Sequence, residues 1–162
     1  MPGLHLHQGY RHDSIATAQD ALRTLGYDAT FTEDDNMFYN LTALETFATV
    51  VFLSTTSDVL HSDLQRHNLE QYLVNGGGLV GIHSATDTLV SSPCYGAAIG
   101  ARFDRHPEFQ NATFRVLNDS HPSTEDLPEA WTFAEEVYNF QTDPRANNVT
   151  VSSKSPPSPV RR

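Results

Sequence analysis

Gly76-Gly77-Gly78-Leu79-Val80-Gly81-Ile82-His83-Ser84-Ala85-Thr86-Asp87 is the stretch that decides the fold. A run of glycines leads into a short apolar segment, which stops at the pentad Gly81-Ile82-His83-Ser84-Ala85. Small residues around one polar residue are typical of a nucleophile elbow, a strand-to-helix turn that raises one side chain above the carboxyl end of a parallel sheet. Acyl-transfer enzymes carry serine or cysteine there, whereas this chain carries His83. The pattern predicts a hydrolase-like scaffold with different chemistry.

Strand-like and helix-like segments alternate on both sides of this stretch. The apolar run Ala48–Leu53 is typical of a strand buried on both faces of a parallel sheet. Ser62 and Gln65 form a capping box, which predicts a helix that runs to Val74. The other predicted elements are a helix from Asp13 or Ser14 to Gly26, strands at 4–6, 27–31, 79–82, 109–117 and 131–140, a short helix after His121-Pro122 and a strand that opens at Asn148. This alternation predicts an α/β fold with a doubly wound, mostly parallel sheet.

The length of 162 residues suits one domain, which we assign to residues 1–151. The Ser/Pro-rich, basic tail at 152–162 has no periodicity, and we predict that it is disordered and cannot pack into a sheet. The chain has no apolar run of membrane-spanning length and no secretory signal, which predicts a cytoplasmic protein without a membrane partner. Cys94 is the single cysteine, so an internal disulfide is excluded.

The charge balance excludes several classes of function. The net charge is −10, and three of the ten basic residues lie at or beyond Lys154, so the body of the chain is more acidic still. A body this acidic repels phosphate backbones, which predicts that nucleic acid is not a partner. Lys154 is also the only lysine. A Schiff-base mechanism and a P-loop are therefore excluded for the body of the chain.

Four ordered blocks carry a family resemblance, namely residues 9–15, 76–88, 95–107 and 121–140. Through them the chain resembles the ThuA-like (trehalose utilisation) family of the class I glutamine amidotransferase-like superfamily. The resemblance implies a flavodoxin-like fold and a small-molecule carbohydrate partner, a disaccharide or an oxidised (keto) sugar. It also implies an amidotransferase-like fold without the nucleophilic cysteine. Family members continue past the last block into further strands, where this chain has its Ser/Pro tail, so the resemblance implies a C-terminally truncated chain.

The carboxyl end of the predicted sheet holds the main candidate site, because open α/β sheets bind ligands there. His83 could act as a general base or hold a metal ion, and the alternative is a histidine that packs at the strand end. Asp87 lies four residues later and could orient the imidazole if a helix follows, or it could cap that helix. We name His83 and Asp87 as the catalytic candidates.

Three further residues on these loops are predicted to bind substrate. His12 and Asp13 follow the first predicted strand and could contact a sugar hydroxyl or a metal, or could simply start the first helix. Thr86 belongs to the elbow itself. Since the loop after Leu53 ends at the same edge, we expect the three loops to converge there.

A second group of candidates lies nearer the C-terminus. His106 and His121 each precede a proline, and with His83 they form a conceivable three-histidine zinc site, although exposed turn histidines are the alternative. Glu136 and Tyr138 combine a carboxylate with an aromatic ring, a pairing that suits sugar hydroxyls, whereas a solvated edge with a core tyrosine is the alternative. We name His106, Glu136 and Tyr138 as substrate-binding candidates and zinc as the candidate cofactor.

Three functions fit this sequence. In the first, the domain binds or transforms a sugar or keto-sugar at a histidine-centred site over the sheet. In the second, it is a non-catalytic sugar-binding or scaffold domain, since the elbow has no cysteine. In the third, it is an inactive fragment of a longer ThuA-like protein. The substrate, the reaction and the oligomeric state stay open.

Overall fold

The computed structural model of the chain describes residues 10–147 and 149–154. They fall into two compact units, Met1–Ile99 and Gly100–Arg162, each described below by itself. Helices and strands are mixed, which confirms the α/β class. Within these described ranges no helix is long and apolar enough to cross a membrane. The strand predicted at residues 4–6 lies outside them.

The first unit is built around two parallel strands. Strand β1 pairs with β2 in register from Thr49 opposite Gly78 to Leu53 opposite Ile82. The two parallel strands predicted on either side of the third helix are thereby confirmed, and the wider doubly wound sheet stays a prediction. The elements of this unit are α1 (Ser14–Thr24), α2 (Leu41–Leu44), β1 (Thr49–Leu53), α3 (Asp63–Val74), β2 (Gly78–Ile82) and α4 (Pro93–Ile99), with 3₁₀ turns at Asp35–Tyr39 and His83–Asp87.

The core of this unit forms around Phe52, which has no exposed surface. Its ring contacts those of Phe38 and Tyr95, with centroid distances of 6.2 and 5.1 Å. Helix α3 begins with the predicted capping box, since the Ser62 hydroxyl accepts from the Gln65 amide and the Gln65 side chain accepts from Ser62 N–H. Burying this core is what holds the β1–β2 pair, and hence its carboxyl edge, in place.

Two predictions in the first unit are wrong. Residues 27–31 form no strand, and Phe31 is instead buried beneath the Arg23 guanidinium, 4.6 Å from its ring centroid. Strand propensity depends on a partner strand, and within residues 10–147 and 149–154 no strand pairs with residues 27–31. Asp13 does precede α1, but its side chain makes no capping hydrogen bond. The end of that helix is confirmed at Gly26, which has a φ of 81°.

The tight packing of Gly77 against Tyr72 leads to a stability prediction. A Cβ added at Gly77 would lie 2.2–2.5 Å from the ring of Tyr72, which is 1% exposed. Because that ring is rigid and its hydroxyl donates to the Phe47 carbonyl, Gly77→Ala should lower the free energy of unfolding by about 1–3 kcal/mol. Urea denaturation measures this loss. Gly26→Ala, where a Cβ meets nothing within 4 Å, is the control that isolates backbone strain.

The second unit is mainly antiparallel. Its strands are β3 (Phe103–Arg105), β4 (Gln110–Val116), β5 (Ala130–Glu135), β6 (Asn139–Phe140) and β7 (Ser153–Lys154), with a 3₁₀ turn at Pro144–Asn147. Strand β3 pairs with β6, and β4 lies between β5 and β7. The β4 strand predicted from the alternation at 109–117 is confirmed.

Three predictions in the second unit need correction. The strand expected at 131–140 is interrupted at 136–138 and becomes β5 and β6. Residues 121–127 form turns and bends rather than a short helix, and the Thr124 hydroxyl donates to the carbonyls of Asn118 and His121. The tail was expected to stay outside any sheet, yet Ser153–Lys154 pairs with the end of β4. Asn148 and residues 155–162 lie outside the described residues.

Candidate functional site

Backbone strain concentrates at the carboxyl edge of the β1–β2 pair. In the part of the chain that the structure describes, four non-glycine residues have positive φ, namely Ser54 (50°), Ser57 (66°), His83 (55°) and Leu89 (46°). All four lie on the two loops that follow β1 and β2. Left-handed backbone is costly for residues with a Cβ and is concentrated at functional sites. His83 is therefore raised on a strained turn, as the elbow pattern predicts.

The two loops are tied to each other by backbone and side-chain hydrogen bonds. Ser57 N–H donates to the Asp87 carbonyl at 2.8 Å, and Leu89 N–H donates to the Ser57 carbonyl at 3.0 Å. The hydroxyls of Thr55 and Thr88, both buried, are 2.7 Å apart. These contacts hold the elbow rigidly against the loop after β1.

His83 meets His12 at this edge. His83 Nε2 lies 3.2 Å from His12 Nδ1, and the two rings are edge-to-face with centroids 4.3 Å apart. Tyr10 packs edge-to-face on the other side of His12 at 4.9 Å. Both histidines are partly buried. The structure thus brings together two predicted site residues that are 71 positions apart in the chain.

The hydrogen bond between the two imidazoles defines what the pair can do. In a neutral pair one ring donates and the other accepts. If His83 donates through Nε2, its Nδ1 keeps a lone pair and His12 carries its hydrogen on Nε2. If His12 donates, both assignments reverse. In either neutral arrangement one outer nitrogen carries a hydrogen and the other a lone pair, which suits proton transfer with a hydroxyl or a carbonyl.

Three buried hydroxyl oxygens lie on the same loops without hydrogen-bond partners in the described structure. They belong to Thr56, Ser84 and Thr86. Ser84 is 3% exposed, so its hydroxyl is not solvated either. Buried polar groups are nearly always paired, and exceptions point to stored strain or to a functional site. Thr86 was expected at the site from the elbow pattern, whereas Thr56 was missed.

Asp13 and Asp87 take less direct positions. Asp13 is exposed at the start of α1. Asp87 ends the 3₁₀ turn that starts at His83, and residues three apart align along such a turn. The role of Asp87 in orienting the imidazole stays a prediction.

The second unit gathers the other predicted substrate-binding residues. The rings of His106 and Tyr138 are stacked at an interplanar angle of 13°, with centroids 5.6 Å apart. Phe103 packs on Tyr138 at 4.5 Å, and His106 Nε2 lies 4.0 Å from Glu136 Oε2. The antiparallel β3–β6 pair brings these residues together, since β3 supplies Phe103 and Tyr138 immediately precedes β6. We name this group the His106 cluster.

His121 is a turn histidine, which was the alternative to its role as a zinc ligand. It is exposed, and its Nδ1 is 2.7 Å from the Ser123 hydroxyl within the same turn. The three-histidine zinc site with His83 and His106 stays a prediction. Within the first unit, His12 and His83 supply two imidazole nitrogens, the donor type that zinc prefers.

Comparison with known proteins identifies the family. The family model described as trehalose utilisation, ThuA, matches residues 4–160. The chain belongs to the ThuA family. A crystal structure of a ThuA-like protein from Bacteroides uniformis ATCC 8492 is similar to it, with a TM-score of 0.76 and 27% sequence identity. The similarity covers 93% of this ThuA chain, which spans 64% of the length of that protein. No curated protein matches the chain.

The surroundings of Cys94, the single cysteine of this ThuA chain, do not activate its thiol as a nucleophile. Burial raises the pKa of Cys94, and the nearby Glu70 carboxylate raises it further. A raised pKa leaves less thiolate at a given pH, so Cys94 should react with iodoacetamide at about pH 8 more slowly than N-acetylcysteine does. Glu70→Gln should increase the rate. A rate equal to or above that of the free thiol would contradict this assignment.

The Thr55–Thr88 hydrogen bond gives a second prediction for this ThuA chain. Thr88→Val leaves the buried Thr55 hydroxyl without this partner, so the free energy of unfolding should fall by about 1–3 kcal/mol. Replacing both threonines by valine should cost less than the two single changes together, because no hydroxyl is then stranded. Urea melts of the four proteins give the coupling energy. Strictly additive losses would show that the contact carries no energy.

Proposed function

We propose that this ThuA-family domain binds a sugar or keto-sugar at the carboxyl edge of the β1–β2 pair, centred on His83. The observation that carries the proposal is the His12–His83 hydrogen bond on a strained elbow. A neutral pair with one outer donor and one outer acceptor matches a hydroxyl and a carbonyl, the two groups that distinguish a sugar from its keto form. The family description, trehalose utilisation, supports a disaccharide ligand.

In this proposal His83 is the acid or base, and His12 is its relay. A proton taken from a substrate hydroxyl at one outer nitrogen is balanced by a proton released at the other, so the pair need not hold two charges. Asp87, Asp13 and Thr86 support the pocket. A zinc ion on the two imidazoles would supply Lewis-acid polarisation of a carbonyl.

A wider fold supports the same location. We propose that β1 and β2 belong to a doubly wound, class I glutamine amidotransferase-like sheet, in which ligands bind outside the carboxyl ends of the strands. The resemblance in the elbow block and the parallel register of β1 and β2 support this arrangement.

The alternative function is sugar binding without turnover. The elbow carries a histidine where acyl-transfer enzymes carry a covalent nucleophile, and this favours a binding domain. Calorimetric titration with trehalose, followed by product analysis of the same mixture, tests both. Saturable heat together with a product supports the enzyme hypothesis, and saturable heat without a product supports the binding-domain hypothesis. The absence of heat with both trehalose and its keto form contradicts both hypotheses.

A further inference from the structure

His106 is fixed in one orientation by its neighbour in the chain. Its Nδ1 lies 2.8 Å from the carbonyl oxygen of Pro107. A carbonyl only accepts hydrogen bonds, so Nδ1 carries the hydrogen. In the neutral imidazole, Nε2 is then a lone-pair acceptor. The backbone therefore determines which nitrogen can accept a hydrogen bond from a ligand.

Glu136 places a second acceptor next to this nitrogen. Its Oε2 is 4.0 Å from His106 Nε2, beyond hydrogen-bond length. The ionised carboxylate also only accepts. Two acceptors side by side are complemented by two donors on adjacent atoms of one ligand. The side chains of His106 and Glu136 are 35% and 27% exposed, so a small ligand can reach them.

The ring of Tyr138 gives this pair an apolar wall. It is stacked on His106 with centroids 5.6 Å apart, and Phe103 contacts both rings, with its centroid 4.5 Å from that of Tyr138 and 5.9 Å from that of His106. The ring surface left beside this stack is apolar and can pack against the C–H groups of a sugar ring. An apolar wall beside a few placed polar groups is typical of small-molecule sites.

The spacing of the two acceptors favours a diol over a metal ion. Zinc bonds of about 2.0–2.2 Å in a tetrahedral site bring two ligand atoms to roughly 3.4 Å from each other. The observed separation is 4.0 Å. Two hydroxyls, each donating to one acceptor, span this distance without any movement of the side chains.

We propose that His106 and Glu136 accept hydrogen bonds from two hydroxyls on neighbouring carbons of a sugar ring, which packs beside Tyr138. The inference rests on the proposed function and specifies the group that the second unit recognises, an intact vicinal diol. A ketone at either carbon removes one donor and sets a carbonyl oxygen against an acceptor. The His106 cluster therefore selects an unoxidised ring.

The test uses a minimal diol, so that it does not depend on trehalose. Protein with ¹⁵N-labelled histidine is titrated at about pH 8 with trans-cyclohexane-1,2-diol and separately with cyclohexanol. We expect the diol to shift the His106 Nε2 resonance saturably and cyclohexanol to leave it unchanged. Glu136→Gln should weaken the diol response at least about threefold, since a neutral amide oxygen replaces the charged carboxylate as the acceptor. The His106→Phe variant keeps an aromatic ring beside Tyr138 but lacks the imidazole, so the resonance that disappears in its spectrum is that of His106.

Several outcomes would overturn the proposal. Equal responses to the diol and to cyclohexanol would show simple apolar contact. The absence of any response to the diol would contradict the proposed acceptor pair. An unchanged response in Glu136→Gln protein, with an intact fold by circular dichroism, would contradict it too. A shift with zinc chloride but none with the diol would make the cluster a metal site. The proposed function is judged separately by trehalose calorimetry, so the failure of one is distinguishable from that of the other.

Discussion

The His83→Asn protein should fold normally, show at least about tenfold weaker trehalose binding, and lose any turnover. Asparagine tolerates the left-handed backbone that His83 adopts, with a φ of 55°, so the fold keeps its elbow. The side chain no longer provides the nitrogen that lies 3.2 Å from His12, so the donor–acceptor pair is lost. Thermal melting and trehalose calorimetry on the same preparation measure both effects.

Two matched variants separate strain from chemistry at this position. His83→Ala removes the same imidazole but forces a Cβ-bearing, non-polar residue into the left-handed region, so it should melt below His83→Asn by an amount equivalent to about 1 kcal/mol. His61→Asn changes an exposed histidine and should alter neither property. Unchanged trehalose binding in His83→Asn would contradict the site, and unfolding of that variant would show that His83 is structural.

The largest expected loss of stability comes from Phe52→Ala. Phe52 is fully buried in β1 against Phe38 and Tyr95, and truncating such a ring leaves a cavity and costs about 3–5 kcal/mol. Urea denaturation gives the shift in midpoint, and Phe52→Leu provides a milder variant if the alanine protein does not fold. Val80→Ala lies on the partner strand at 44% exposure and should cost less than about 0.5 kcal/mol. Equal losses in the two alanine variants would place the core elsewhere.

Local signals in the sequence predict the elements around the elbow well. The capping box at Ser62 and Gln65, the apolar run that becomes β1 and the glycine-led strand β2 are each set by residues adjacent in the chain. The strand expected at 27–31 does not form, because among the described residues no strand pairs with this segment, and pairing is a non-local property. The break of the strand expected at 131–140 is likewise decided by the antiparallel pairing of β3 with β6.

The candidate site was predictable in part. The elbow pattern points to His83, and the expected convergence of loops at one sheet edge anticipates a meeting with His12. The buried hydroxyls of Thr55, Thr56 and Thr88 carry no periodic signal, because loop residues are positioned by contacts distant in sequence. The cluster of hydroxyl residues directly after a buried strand is the feature that could have indicated them.

The most direct test of the proposed site is a crystal of the protein soaked in trehalose. We expect density for a sugar ring at the carboxyl edge of β1 and β2, with a hydroxyl within about 3.2 Å of an imidazole nitrogen of the His12–His83 pair. Sugar bound elsewhere, with both imidazoles contacting only protein and water at saturating trehalose, would contradict the account.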